Sequence, residues 1–251
     1  MSKSHVIGWD VALPTPAQFV EFFQQVVKKR ITHKRVQGLL NENLALRDGD
    51  ERYKESRRLL WDDLISPKEI MEQSKEIYPA DVLEYLAKTL PDKNTLLWCL
   101  ANNLFVIASP PKKKSFCEIL EENERLIMSD IRLYCDSNID LLFQDVTRPG
   151  WITLSQSMLP PSGEKTLQEQ CGLLIQTQKE FLPNAADVLW AILTLKKIRG
   201  HRLLNGQSVR TATKIGSDKS VVIGPYSHDG LYIDVVPDDM ENEVLGILAS
   251  R

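Results

Sequence analysis

The sequence contains few residues of the types that bind metals or form disulfides. Its 251 residues include four cysteines, no two of them closer than eighteen residues. These cysteines are Cys99, Cys117, Cys135 and Cys171. This spacing excludes the CxxC pairs that zinc ribbons use, and each cysteine lies in an apolar stretch. We therefore expect buried free thiols in the reducing cytoplasm.

The sequence also lacks the familiar catalytic motifs. It contains no GxSxG, HExxH, GxxxxGK[ST] or GxGxxG pattern. The four histidines are too scattered to predict a metal triad, and they are His5, His33, His201 and His228. We expect no cofactor and no bound metal, although a site assembled from distant segments would leave no such motif.

Long apolar runs are absent as well. The N-terminus has no apolar core of the kind that signal peptides carry. The most apolar window, residues 95–109, is interrupted by Asn102 and Asn103 and is shorter than the roughly 20 residues that span a bilayer. We expect no membrane segment.

The overall composition is that of a folded protein. Hydrophobic residues make up 43% of the chain and charged residues 26%, with a formal net charge of -3. This balance argues against a protein coated in phosphate contacts, although it leaves room for a local basic patch.

Residues 1–92 predict a mostly helical region. Apolar stripes predict two helices within residues 14–44, a further helix from Glu55 to Ile65 and an amphipathic helix over residues 79–90. Ser66 followed by Pro67 predicts another helix start. The charged run at residues 47–56 predicts a loop.

Residues 93–251 predict an α+β region. Strand patterns occur at residues 104–109, 130–136 and 151–156. Between them, Ser115 and Glu118 match a capping box, and helices are predicted over about 166–179 and 184–198, the latter ended by Gly200.

The C-terminal part, residues 207–250, predicts an antiparallel β-meander of three or four strands. The stretches QSVRTAT, SVVIGPY and LYIDVV are separated by the short polar connectors GSDK and SHDG, which hairpins favour. NEVLGILASR is a candidate fourth strand, and the helix from Asn184 is expected to cover one face of the sheet. The predicted fold class is therefore α+β.

Several C-terminal segments share a recognisable pattern. They are PGWITL (149–154), LQEQ (167–170), RGHRLLNGQSVRT (199–211), DKSVVIGPYSHDGLYID (218–234) and a terminal SR. The pattern resembles a family of uncharacterised bacterial proteins, some of which also share the joint Arg30-Ile31-Thr32 before a helix. Where that family carries an acidic turn, this chain has Gly216-Ser217-Asp218-Lys219. The resemblance implies an architecture and no mechanism.

A basic stretch, KKRITHKR, joins the two helices predicted within residues 14–44. It supports a helix-turn-helix-like element at residues 17–44, because Thr32 can cap a second helix whose first turns carry donors for phosphates and base edges. The candidate DNA-contacting residues are Lys28, Lys29, Arg30, His33, Lys34, Arg35 and Gln37. Against this, residues 1–110 contain fifteen basic and fifteen acidic residues, and lysines at a helix end are also favoured by the helix dipole.

Two further groups are candidates for chemistry. Arg202 and Arg210 could hold a phosphate or carboxylate if the face of the sheet is open, although solvated basic ends of a helix and a strand are the favoured explanation. His228 and Asp229 could act as an acid–base pair, but adjacent residues on a tight turn usually point apart, and Asp-Gly is a preferred turn dipeptide.

The favoured function is a non-enzymatic cytoplasmic protein that binds an unknown protein partner or ligand. A DNA-binding accessory protein that uses residues 17–44 is the second hypothesis, and an enzyme whose site leaves no motif is the third. An interaction module predicts an exposed apolar patch on the helical half. The oligomeric state stays open.

The DNA hypothesis makes a direct prediction. If residues 28–37 contact DNA, affinity for duplex DNA should fall steeply with salt, and Lys34→Ala with Arg35→Ala should weaken binding and reduce the salt slope by about 2. Electrophoretic mobility shifts over a salt series would measure this. The absence of any salt-dependent shift with random or cognate duplexes would reject the hypothesis.

Overall fold

The computed structural model describes residues 51–128, 139–175 and 180–251. The chain forms two compact units, Met1–Ala45 and Leu46–Arg251, and every described residue belongs to the second. The following fold is therefore that of the second unit alone.

Three of the predicted elements fall outside this description. The helices predicted within residues 14–44 and the strand predicted at residues 130–136 lie outside the described residues. The proposed boundary at residue 92 lies inside the second unit.

The described residues form helices and strands in mixed order. The helices are α1 (Glu51–Leu60), α2 (Pro67–Gln73), α3 (Ala80–Thr89), α4 (Lys93–Ala101), α5 (Phe116–Glu122), α6 (Ile139–Gln144), α7 (Leu167–Ile175) and α8 (Ala185–Arg199). The strands are β1 (Leu64–Ile65), β2 (Leu104–Ala108), β3 (Trp151–Ser155), β4 (Ser208–Lys214), β5 (Lys219–Tyr226), β6 (Leu231–Pro237) and β7 (Leu245–Ile247). No helix within these residues is long and apolar enough to cross a membrane.

The strands form two separate sheets. In the first sheet, of order β1-β2-β3, β2 pairs parallel with β1 and antiparallel with β3. The second sheet has the order β6-β5-β4-β7. The α+β fold class predicted from the sequence is thus confirmed.

Three strands of the second sheet form the predicted meander. β4, β5 and β6 pair antiparallel in sequence order. The fourth strand, β7, returns to the far side of β4 and pairs with it in parallel. The meander therefore has three antiparallel strands, and a crossover connection supplies the fourth.

Local signals start the helices where the sequence indicates. Ser66 and Glu69 form a complete capping box at α2, and Ser115 and Glu118 form another at α5. At its other end α8 stops at Gly200, which has a left-handed φ of 66° and caps the helix as predicted.

Helix α8 occupies the centre of the core. All eleven residues from Ala185 to Leu195 are buried. The helix packs against β4 and β5 of the second sheet, as expected, and also against β3 of the first sheet, α2 and α5. A helix that is buried on all sides needs no polar face, which explains its nearly continuous apolar sequence.

The C-terminal residues connect the two sheets. β7 belongs to the second sheet, whereas Ala249 exchanges hydrogen bonds with Ser155 of β3, and Arg251 donates its backbone N–H to the Thr153 hydroxyl at 2.7 Å. Phe181 pairs with Ser250 as an isolated β-bridge. One short segment thus bonds to both sheets.

Three local predictions are wrong. α1 begins at Glu51, inside the predicted loop, and the helix predicted to reach Ile65 ends at Leu60. The next residues form a tight turn and then β1, because Leu64 and Ile65 pair with buried β2. Helix α4 was not predicted, although Asp92 caps it by accepting from the Thr95 amide at 2.7 Å.

Alanine substitutions at Gly224 in β5 and at Gly172 in α7 should have opposite effects on stability. At Gly224, with φ of 108°, a Cβ would overlap the Gln207 carbonyl oxygen, so Gly224→Ala should lower the free energy of unfolding by about 2 kcal/mol or more. Gly172 lies within α7 with no atom near its missing Cβ, so Gly172→Ala should raise that free energy by about 0.5–1 kcal/mol. Urea denaturation of both variants tests the packing. Equal effects would contradict it.

Candidate functional site

The candidate DNA-contacting residues lie outside the described residues. These are Lys28, Lys29, Arg30, His33, Lys34, Arg35 and Gln37. The hypothesis built on them stays a prediction.

Arg210, one of the two candidate anion-binding arginines, is completely buried. Its guanidinium donates to the backbone oxygens of Lys165, Pro237 and Met240. It also donates to the Gln170 side-chain oxygen at 3.0 Å. The open sheet face on which the anion hypothesis depended is closed at this residue. An external anion would have to displace these oxygens.

Arg202 lies in a different environment. It is exposed, with its guanidinium carbon 5.9 Å from the centroid of the Tyr226 ring. Within the described residues, no hydrogen bond or ion pair joins Arg202 and Arg210 to a common partner. The structure therefore does not bring the two arginines together around one acceptor.

A polar cluster follows Arg210 along β4. Lys214 donates to the Ser220 hydroxyl at 3.1 Å and pairs with Asp238, and Ser220 donates to Asp238 at 2.6 Å. Burial acts to raise the pKa of Asp238, but the bonds from Lys214 and Ser220 outweigh it and hold that pKa below its usual value. Ser220 of β5 is fully buried. Its bonds with Lys214 and Asp238 join β4 and β5 to the loop after β6.

Cys171 of α7 lies near this cluster and is half-buried. Burial raises the pKa of its thiol. A reactive cysteine needs the opposite shift, because the thiolate is the nucleophile. The cluster thus contains no activated nucleophile of this kind.

His228 and Asp229 do contact each other. The His228 Nε2 atom lies 3.0 Å from an Asp229 carboxylate oxygen, so the expectation that the two side chains point apart is wrong. Their side chains are 84% and 50% exposed. The turn is closed by the Ser227 amide, which donates to the Gly230 carbonyl at 2.9 Å. The pair is therefore surrounded by water, where its electrostatic interaction is weak.

Two carboxylates lie at the start of α8, and sequence reasoning missed both: Asp187 is fully buried and Asp145 is half-buried. Asp145 accepts from the Thr213 hydroxyl at 2.7 Å and from the Ala186 amide at 3.0 Å. Asp187 accepts from the backbone and side chain of Arg148. For Asp187 the available signal was its place in the first turn of α8, where the helix dipole favours negative charge, whereas Asp145 follows α6 and gave no signal.

Burial perturbs both carboxylates. It raises the pKa of Asp145 to about 6, even though the bonds from Thr213 and Ala186 act in the opposite direction, and the nearby Asp187 adds to the rise. Burial likewise raises the pKa of Asp187 despite the bonds from Arg148. Since these oxygens accept from groups of the fold, we interpret Asp145 as part of the structural cap of α8 and Asp187 as the partner that holds Arg148.

Lys114 is a third buried charge that the sequence did not reveal. Its side chain is 3% exposed, and its ammonium pairs with Glu76 and with Glu122, at 2.5 Å from the latter. Burial acts to lower the pKa of Lys114, but the two carboxylates outweigh it and raise that pKa, so the lysine stays charged. The ammonium lies 5.7 Å from the centroid of the Trp190 ring of α8.

The described residues show no metal site, and the chain shows no match to known proteins. Within residues 51–128, 139–175 and 180–251, no group of three or more His, Cys, Asp or Glu side chains could hold a metal ion. Comparison of the chain with protein-family models, curated proteins and solved structures gives no match.

Among the described residues of the helical half, the large exposed apolar side chains lie around α3. Ile77, just before the helix, is 80% exposed, and Tyr85 and Leu83 are 45% and 36% exposed. Exposed charged residues such as Asp81, Glu84 and Lys88 surround them on the same helix. Apolar side chains with a polar rim are typical of protein contact sites.

The raised pKa of Asp145 predicts a pH effect on stability. Between about pH 4 and pH 6 the folded protein holds a proton at Asp145 that the unfolded chain has lost, so stability falls as the pH rises through this window. Asp145→Asn removes this dependence while keeping an oxygen for Thr213. Relative to that of the wild type, the free energy of unfolding of the variant should increase by up to about 3 kcal/mol between pH 4 and pH 7.

Urea denaturation at several pH values measures the difference. The exposed Asp239→Asn substitution serves as the control and should leave the pH dependence unchanged. A difference between Asp145→Asn and wild type that does not vary with pH would contradict the interpretation.

Proposed function

We propose that this protein is a non-enzymatic interaction protein that binds a protein partner through the apolar residues around α3. The observation that carries the proposal is the exposure of Ile77, Leu83 and Tyr85. An isoleucine that is 80% exposed gains about 25 cal/mol for each Å² that a partner covers. The alternation with charged residues matches the apolar centre and polar rim of protein interfaces.

The buried polar groups support a binding role over a catalytic one. Arg210, Asp187, Lys114 and Ser220 each bond to other parts of the fold. A catalytic group needs donors or acceptors that face a substrate. In the described part of the chain these four side chains serve to join segments.

We place the protein in the reducing cytoplasm. Cys99 and Cys171 lie in the described residues as free thiols, and Cys99 is buried. Burial raises the pKa of Cys99 to about 12, which suits an inert core thiol.

We also propose that the chain is a member of the uncharacterised bacterial family that its C-terminal pattern resembles. Structural roles of pattern residues support this proposal. Trp151 opens β3, Gly200 ends α8, and the buried Gln170 donates to the carbonyls of Ser162 and Leu245 while accepting from Arg210. A pattern of such residues describes an architecture rather than an active site.

The surface around α3 is tested by paired substitutions. Ile77→Asp places a charge in the proposed contact, whereas Val244→Asp does so at an exposed apolar residue beside the second sheet, 42% exposed. We expect Ile77→Asp to weaken partner binding at least about tenfold and Val244→Asp to leave it unchanged. Crosslinking and quantitative co-purification from cells that express each variant at equal levels provide the measurement.

The unfolding curves of both variants must match that of the wild type, so that a loss of binding reports on the surface. A partner retained equally by both variants would reject the α3 surface. Detection of a substrate turned over by the wild-type protein would reject the non-enzymatic role.

A further inference from the structure

Helix α3 differs from the core helix α8 in how it is held. Eight of its ten residues are exposed, and Leu86 is its one buried residue within the described part of the chain. In α8, by contrast, eleven consecutive residues are buried. Exposed backbone hydrogen bonds and little buried apolar surface mark the parts of a protein that open most easily. We refer to residues 74–90, which comprise α3 and its flanking loops, as the α3 strap.

Long-range polar contacts of the described residues join the α3 strap to the rest of the molecule near its start and near its end. Near its start, Glu76 pairs with the buried Lys114, and the Tyr78 hydroxyl donates to the Ser109 carbonyl at 2.7 Å. Near its end, the Trp151 indole N–H donates to the Leu86 carbonyl at 2.9 Å. Tyr78, Leu86 and Leu90 add buried apolar surface at these points.

The residues that receive these contacts are fixed to the core without the strap. Lys114 donates its backbone N–H to the Thr147 hydroxyl at 3.0 Å and accepts from the Thr147 amide at 2.9 Å. Ser109 accepts at its hydroxyl from the Gly150 amide at 3.0 Å. Trp151 lies in β3. Detachment of the strap would therefore leave these receiving groups in place.

Lys114 can tolerate such a detachment. Its ammonium also pairs with Glu122 at 2.5 Å, and Glu122 is 46% exposed. When Glu76 leaves, the lysine keeps one carboxylate partner and gains access to water on the side that the strap covered. Opening thus avoids an isolated buried charge, which would otherwise oppose it strongly.

We propose that the α3 strap opens as a local unit while the α8 core stays folded, and that the Glu76–Lys114 ion pair is its latch. Opening exposes Val82 and Leu86 beside Leu83 and Tyr85, which would enlarge the apolar face offered to a partner. That consequence rests on the proposed function, whereas the opening itself does not.

Hydrogen–deuterium exchange of the full chain, without a partner, tests the opening. In the wild type, amides of residues 83–89 should exchange at least about a hundredfold faster than those of residues 189–195. Glu76→Gln keeps the shape of the side chain and removes its charge. It should speed exchange in α3 about tenfold or more and leave α8 unchanged.

A matched substitution on the same helix supplies the control. Glu84→Gln breaks the ion pair with Lys88, whose two side chains are 65% and 71% exposed, and should change α3 exchange less than about twofold. If Glu76→Gln fails to fold, Tyr78→Phe, which removes the bond to Ser109, replaces it with the same expected pattern.

Two results would overturn the proposal. One is equal protection of α3 and α8 in the wild type, and the other is an equal rise in both helices with Glu76→Gln, which would indicate global unfolding. If the protein binds a partner through α3 but hydrogen exchange shows no opening, only the strap proposal is rejected. If the strap opens but no partner binds through α3, only the proposed function is rejected.

Discussion

The buried start of α8 is the constraint on which the rest of this unit depends. The first amides of a helix have no partners within the helix, and those of α8 cannot reach water because the helix is buried from its first residue. The Thr213 hydroxyl accepts from Ala185, the Asp145 carboxylate from Ala186, and Asn184 from Asp187. These acceptors come from β4, the segment before β3 and the chain just before α8. The buried start of α8 therefore depends on β4 and on the segment before β3.

Buried charges join the outer parts of the unit in the same manner. Arg210 connects β4 to the start of α7 and to the loop after β6, and Lys114 connects the α3 strap to α5. A buried charge that loses a partner is costly, so each of these contacts favours one arrangement of the segments that it joins. This accounts for charged residues in a largely apolar interior.

The molecule thus combines a tightly bonded centre with a loosely attached helix. The core around α8 is held by buried side chains and complete capping, whereas α3 presents most of its surface to water. A rigid support that carries an exposed apolar helix is a physical basis for partner binding. The buried polar groups around α8 stabilise the fold, whereas the exposed residues of α3 remain available at the surface.

Much of the secondary structure could be predicted from the sequence, because its signals are local. The Ser115–Glu118 capping box, the stop at Gly200 and the meander strands depend on residues within a few positions of one another. Predictions failed where tertiary contacts outweighed local preference. Leu64 and Ile65 continue a helical pattern but pair with β2, some forty residues later in the chain.

The candidate sites were less predictable than the fold. Arg210 was a reasonable anion-binding candidate, but whether its guanidinium faces a ligand or backbone carbonyls depends on loops far away in sequence. Asp145 and Lys114 gave no motif, because Thr213 lies 68 residues from Asp145 and Glu76 lies 38 residues from Lys114. The sequence by itself determined the α+β class, the helix ends at Ser66, Ser115 and Gly200, and the three-stranded meander, since short-range hydrogen bonding and hydrophobic periodicity specify them. Only the tertiary structure decided which charges are buried and which apolar residues stay exposed, since burial depends on what the rest of the chain brings alongside.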